Sequence, residues 1–255
     1  MKKEKLKNIA LKFLKEKGVK PIYICISGAH LYGFPSVDSD YDIRCCHVSD
    51  TKDFFHLKKI KETFEKTLIV DGVEVDIVSH EIEKVLNLLI KNNSNILENI
   101  FSENLHPTIE HKQLLKLAKK AISKQVYFPY HGMAKQNYKK FIESLNPVYK
   151  KKSVKKYLYV LRSYMAGIYA LKTGEIQPNI TKLNKYFKLS VIDKLVRLKR
   201  ETETKEVKGS EQAEFAIARL AAEIETAFEQ SKLPEKPKNI EDIDKFMYKV
   251  RLKYI

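Results

Sequence analysis

Two aspartates spaced by one residue, Asp40 and Asp42, open the segment "DYDIRCCHV" at the start of a predicted strand. At that spacing their carboxylates project from one face, and charges so close repel unless a cation lies between them. Hard oxygen donors suit Mg²⁺ or Mn²⁺, and a pair of such ions can clamp the attacking and leaving oxygens of a phosphoryl transfer. A third carboxylate on a neighbouring strand would complete such a site. In "VDGVEVDIVS" the apolar Val73, Val75 and Ile77 alternate with Glu74 and Asp76, so both acids face one side of the sheet. Asp76 is the candidate third acid and Glu74 its reserve. Upstream, Ser27, Gly28 and Ala29 form a small-residue turn after an apolar run. Glycine there lets backbone approach a ligand, and amides at a helix start can hold phosphate oxygens. Acids opposite such a turn make a candidate nucleoside triphosphate site.

Each motif alone has a plain structural explanation. D-x-D recurs at solvated strand ends, small residues recur in turns, and alternating acids mark the wet side of a sheet. The order and spacing of all of them across "ISGAHLYGFPSVDSDYDIR" is what carries chemistry.

Positioning these groups requires strands, and the first hundred residues supply them. "PIYICIS" (Pro21–Ser27) and "YDIRCCHV" (Tyr41–Val48) read as strands, and "TLIVDGVEVDIVS" as a hairpin turning at Asp71-Gly72. "HEIEKVLNLLIKNN" returns to helical spacing. From about His106 the pattern is helical, over His111–Ser123, His131–Leu145, Val154–Thr173, Val191–Lys205, Glu211–Gln230 and Ile240–Lys253. The breaks "LNP", "TGEIQPN", "KGS" and "LPEKPKN" carry the loop residues. Gly174 is placed to cap its helix in the left-handed region. The expectation is an α+β chain, residues 1–105 holding the sheet and residues 106–255 an all-helical C-terminal domain.

With 255 residues the chain can bury a substantial core. Its 48 Lys and Arg against 32 Asp and Glu leave a formal charge of +16, which suggests a polyanionic partner, nucleic acid before membrane. A lysine-rich, tryptophan-free composition also fits a biased genome. No apolar run approaches the ~20 residues that span a bilayer. The basic N-terminus spaces its apolar residues helically, as a first helix rather than a signal peptide. Three cysteines, Cys25, Cys45 and Cys46, suit a reducing cytoplasm.

The strand, the G-[ST]-like turn, the D-x-D about ten residues later and the third acid resemble the DNA polymerase beta-type nucleotidyltransferase superfamily. "ISGAHLYGFPSVDSDYDIR" resembles its RNA-repair-associated RlaP/YcgL-like branch more narrowly. Asp76, Ser79, Asn93 and Glu98 match that branch, as do Arg162 and Gly174, so the likeness covers most of residues 22–178. The resemblance implies a mixed-sheet nucleotidyltransferase core with flanking helices, two divalent ions and release of pyrophosphate from a nucleoside triphosphate, with ATP the expected donor. By position it gives Asp40 and Asp42 as metal ligands and Asp76 as ligand of the catalytic ion that also helps deprotonate the acceptor. Ser27, Gly28 and Ala29 would hold the triphosphate, with Arg44 supporting the site. Ala29 stands where the branch carries serine, Cys45 where it carries glycine and Ser94 where proline is common.

In the helical half, Lys150, Lys151, Lys152, Lys155, Lys156 and Arg162 cluster with no acid before Glu175. On a helical wheel Lys151, Lys155, Tyr159 and Arg162 share a stripe, which suits a phosphate backbone and a stacked base, or equally a solvated face. His131 reads as a structural or substrate-contacting residue. Cys45-Cys46-His47 alternate across a strand, which argues against a closed zinc site. Together these features point to a Mg²⁺-dependent nucleotidyltransferase acting on an RNA end. Modification of a protein or small molecule, and a nucleotide- or RNA-binding module with weakened catalysis, are the alternatives.

Overall fold

The computed structural model describes residues 1–143, 153–201 and 210–255. The chain runs through α1 (Lys3–Glu16), β1 (Lys20–Ile26), α2 (Gly28–Tyr32), β2 (Tyr41–Val48), β3 (Thr63–Val70), β4 (Val73–Glu81), α3 (Ile82–Ile90), α4 (Ser94–Phe101) and α5 (Ile109–Ala121). It continues through α6 (Tyr127–Tyr138), α7 (Val154–Thr173), α8 (Ile180–Phe187), α9 (Ser190–Glu201), α10 (Glu211–Gln230) and α11 (Ile240–Lys253). This is the expected α+β chain, a mixed sheet with helices and then helices alone. Lys150, Lys151, Lys152, the "LNP" break and the last residues expected of the helix from Val191 lie outside the described residues. Among the described residues no helix is long and apolar enough to cross a membrane.

Packing divides the chain into two units. The first holds Met1–Gly28, Asp40–Ala121 and Pro237–Ile255; the second holds Ala29–Ser39 and Ile122–Lys236. Neither is continuous in sequence.

In the first unit the sheet order is β1-β2-β4-β3, with β2 and β4 parallel and both outer pairs antiparallel. The β3–β4 hairpin turns at Asp71 and Gly72, whose φ angles of 52° and 77° are the two positive values a tight hairpin turn needs. That turn pairs Val70 with Val73 and, counting back, Thr67 with Asp76. One face is covered by α1, whose Leu6, Ala10, Phe13 and Leu14 recur at helical spacing against Ile24, Ile43, Val75 and Ile77. Burying each large apolar side chain of this kind contributes roughly 1.5–3 kcal/mol. The C-terminal helix α11 belongs to this unit too. Arg251 pairs with the buried Glu81 at 2.8 Å and lies 3.8 Å over the Phe54 ring. Thr51 donates its N–H to Tyr254 O and its hydroxyl to Arg251 O.

The second unit is built around α7, most of whose residues are buried. A Cβ on Gly167 would lie 2.8 Å from Ile224 and from Tyr130, so glycine allows α6 and α10 to close on it. Gly174 ends the helix at φ 74°. Residues 29–39 pack with these helices. Tyr32 and Phe34 meet Tyr159 edge-on, and the buried Lys199 donates to Ser36 Oγ at 2.8 Å.

Candidate active site

Parallel pairing of β2 with β4 sets Asp42 directly opposite Asp76. At the ~5 Å spacing of neighbouring strands, two unscreened carboxylates repel by roughly 3 kcal/mol at an effective dielectric near 20. Arg44, two residues along β2 and on the same face, answers that charge. Its Nη2 donates to Asp42 Oδ1 at 2.8 Å and its Nη1 to Asp76 Oδ2 at 3.0 Å, so one guanidinium spans both acids. Nη1 also faces the carbonyls of Ile43 and Asp76. The other oxygen of Asp76 accepts from the Thr67 hydroxyl at 3.1 Å. Thr67 escaped sequence reasoning, although the Asp71-Gly72 turn fixes its register opposite Asp76.

Ser27 donates its N–H to the Asp42 carbonyl at 2.7 Å, tying the end of β1 to the start of β2. Gly28 follows at φ 61°, and a Cβ there would sit 1.8 Å from Asp42 Oδ2. Only a glycine lets this carboxylate lie against the turn. Ala29 is the second residue of α2, and its carbonyl accepts from the N–H groups of Gly33 and Phe34. Asp40 is exposed and precedes the strand rather than lying in it. Glu74 is exposed on the Asp76 face. Among the described residues no three or more His, Cys, Asp or Glu side chains form a group able to hold a metal ion as they stand. Asp42 and Asp76 are nonetheless brought together and converge on a cation, the guanidinium.

Other candidates serve the fold. Burial pushes the thiols of Cys45 and Cys46 well up and that of Cys25 to about 12, so all three stay protonated. Burial lowers His47 to about 4, and its Nδ1 lies 2.7 Å from Ser79 Oγ. Asn93 caps α4 by accepting from Ile96 N–H. Thus Ser79, Asn93 and Gly174, which carry part of the resemblance, have structural work. His131 stacks on Tyr127 and lies 3.5 Å from Glu225.

The stripe expected along α7 is not an open basic surface at Arg162. Arg162 is 1% exposed, its guanidinium 3.7 Å over the Tyr32 ring, and Tyr159 packs on Tyr32 and Phe34. Lys155 is half-buried and Lys151 lies outside the described residues. A helix wrapped on nearly every side has no open stripe to offer at Arg162, which a helical wheel cannot foresee.

The family described as RlaP, RNA repair pathway DNA polymerase beta family, matches residues 1–249. The uncharacterized protein MJ0002 of Methanocaldococcus jannaschii is 32% identical over 162 residues, 63% of this chain and 64% of that protein. The uncharacterized protein YcgL of Bacillus subtilis is 32% identical over 166 residues, 63% of this chain and 60% of that protein. The match therefore spans less than two thirds of either relative. A crystal structure of a nucleotidyltransferase-like protein from Exiguobacterium sibiricum aligns with 98% of this chain and 80% of its own, at 11% identity and a TM-score of 0.35.

Proposed function

We propose a function from one premise: the chain belongs to the RlaP family, the RNA repair pathway DNA polymerase beta family. The chain transfers a nucleoside monophosphate from a nucleoside triphosphate, ATP first among them, to a hydroxyl acceptor at an RNA end, and releases pyrophosphate. The observation that carries this reading is Asp42 paired in register with Asp76, both carboxylates meeting one cationic group.

Oxygen-only donors on two adjacent strands fit Mg²⁺ or Mn²⁺. Asp40, Asp42 and Asp76 would hold the ions. Bound there, divalent cations would supply positive charge for the triphosphate and make the acceptor hydroxyl more acidic. Asp76 accepts the acceptor's proton, its second oxygen oriented by Thr67. Gly28 and Ala29 offer amides to the triphosphate beyond Ser27. Arg44 neutralises the two acids as they stand, and with ions bound there its guanidinium would be available to phosphate oxygens. We assign the work to a reducing cytoplasm, in keeping with three free, buried thiols.

The test is incubation with each labelled triphosphate, Mg²⁺ and a panel of RNAs, with Asp42→Asn and Asp76→Asn alongside. Label should appear on RNA, and either substitution should abolish it while leaving the melting temperature within a few degrees. Several kcal/mol of transition-state charge stabilisation rest on each ligand, on the order of a thousandfold in rate. Normal turnover by either variant at saturating Mg²⁺ would overturn the two-ion mechanism. Label on protein or a small molecule would change the acceptor alone.

A further inference from the structure

We propose that the cleft between residues 53–65 and the start of α3 is the acceptor subsite, and that it takes single-stranded RNA. The proposal rests on the transfer reading above and adds where the acceptor lies. The cleft has a volume of about 970 Å³, and Phe54, Lys58, Lys59, Lys61, Thr63 and Lys84 are among the residues lining it. It shares a sheet face with the candidate acids. Thr67 donates to Asp76, and Thr63 Oγ1 lies 3.0 Å from His80 Nδ1, so strand alternation sets Thr63, Glu65 and Thr67 on the face of Asp76 and His80. From Thr67 to Thr63 is four residues of strand, about 13 Å. A nucleic-acid strand whose end reaches Asp76 and which follows β3 enters the cleft at that distance.

The walls carry what such a strand recognises. Lys58, Lys59 and Lys61 are exposed, and Lys84 Nζ donates to Thr63 Oγ1 at 2.7 Å. Ammonium groups along a groove track phosphates without reading sequence. Phe54 lines the cleft and is covered on one side by Arg251. Phe55 is not a lining residue, but it follows Phe54 in sequence and is 80% exposed, a ring on which a base leaving the cleft can stack. Asp53, Glu62, Glu65 and Glu83 also line the cleft, with Arg251 Nη2 3.6 Å from Glu83. Carboxylates repel a bare polyanion but accept from 2′-hydroxyls and base amino groups. Mixed walls of this kind favour a strand with phosphates on one side and donors on the other over an acidic peptide. Arg162, in contrast, is buried in α7 and cannot meet a phosphate there.

The experiment is anisotropy of a fluorescent single-stranded oligoribonucleotide titrated with the full chain across a salt series. The unmutated protein is compared with a Lys58→Ala, Lys59→Ala, Lys61→Ala triple variant and with Phe55→Ala, each checked for folding by circular dichroism. Losing three phosphate contacts at roughly 0.7 each should flatten the log–log salt slope by about two, with affinity falling about tenfold or more at moderate salt. Unrelated sequences should lose about equally. Phe55→Ala removes no charge, so affinity should fall severalfold at an unchanged slope. An unaltered slope and affinity in the triple variant would overturn the proposal, as would an unmutated protein that binds no oligoribonucleotide. Binding lost with Lys155→Ala but kept by the triple variant would overturn it too. Asp42→Asn separates this proposal from the transfer reading: it should bind the oligoribonucleotide normally yet transfer nothing. Nucleotidyl transfer to a protein without RNA binding would sink the acceptor subsite and leave the chemistry standing.

Discussion

A Cβ at position 28 would lie 1.8 Å from Asp42 Oδ2, on a backbone already at φ 61°. Gly28→Ala therefore faces two penalties, a left-handed conformation of about 1–2 kcal/mol and displacement of a carboxylate that Arg44 holds at 2.8 Å. Melting should fall by several degrees and nucleotidyl transfer should be lost more completely than stability. Transfer at the normal rate in this variant would mean that Asp42 works from another position. Ala29→Ser is the converse case, a gain. A hydroxyl meeting a triphosphate oxygen adds a hydrogen bond to a charged group, worth about 1.5–3 kcal/mol. If that bond tightens as charge moves onto pyrophosphate, turnover rises, at most roughly ten- to a hundredfold; if it is equal in both states, only nucleotide affinity improves. Rates and affinities of the two proteins, measured side by side, decide the matter. Identical values would take residue 29 out of the triphosphate site.

Among the elements, the β3–β4 hairpin was the most legible, because one Asp-Gly turn and a period of two determine its register and so set Asp76 among its neighbours. The helices Val154–Thr173, Glu211–Gln230 and Ile240–Lys253 have the bounds their spacing predicts. Other features were not legible. The eight residues of α8 are too few for a clear period, although Asn179 after Pro178 caps them by accepting from Thr181 and Lys182 N–H. Burial of Arg162 and the bridging of two acids by Arg44 depend on which elements meet, and a single strand or helix does not record that. Strand β2 adds a pH dependence that follows from its burial. Desolvation holds His47 near 4 in the folded chain, below its ordinary 6.5. Between those values the unfolded chain binds more protons, so stability present above pH 6.5 is lost as pH falls toward 4, by up to about 3 kcal/mol. His80, His106 and His111 are also lowered by burial and act in the same direction. Urea unfolding at pH 7, 5.5 and 4.5 should show the decline, and His47→Gln should make it shallower. An unchanged decline in that variant would mean that other groups carry it.

At the scale of the whole molecule, the chain leaves the first packing unit after Ala121 and returns to it at Pro237. The return is fastened by charge. Glu81 is 1% exposed and meets Arg251 at 2.8 Å, while its other oxygen accepts from Glu83 N–H. Lys253 pairs with Glu110, and Asn239 Nδ2 donates to Leu117 O, so α11 is held at several points along its length. Removing one partner of a buried pair leaves the other charge stranded, which destabilises by about 3–5 kcal/mol, whereas replacing both is far milder. Arg251→Met should therefore lower the stability of the first unit substantially, and adding Glu81→Gln should restore much of it. The pattern matters as much as the size. Hydrogen exchange of the single variant should quicken at amides of β2, β4 and α11, while α7 and α10 keep their protection, because local stability follows the packing unit. Nucleotidyl transfer should fall in step with the folded fraction, with KM for the triphosphate unchanged. Equal loss of protection in both units would show that they unfold as one, and the division of the chain by packing would then carry no thermodynamic weight.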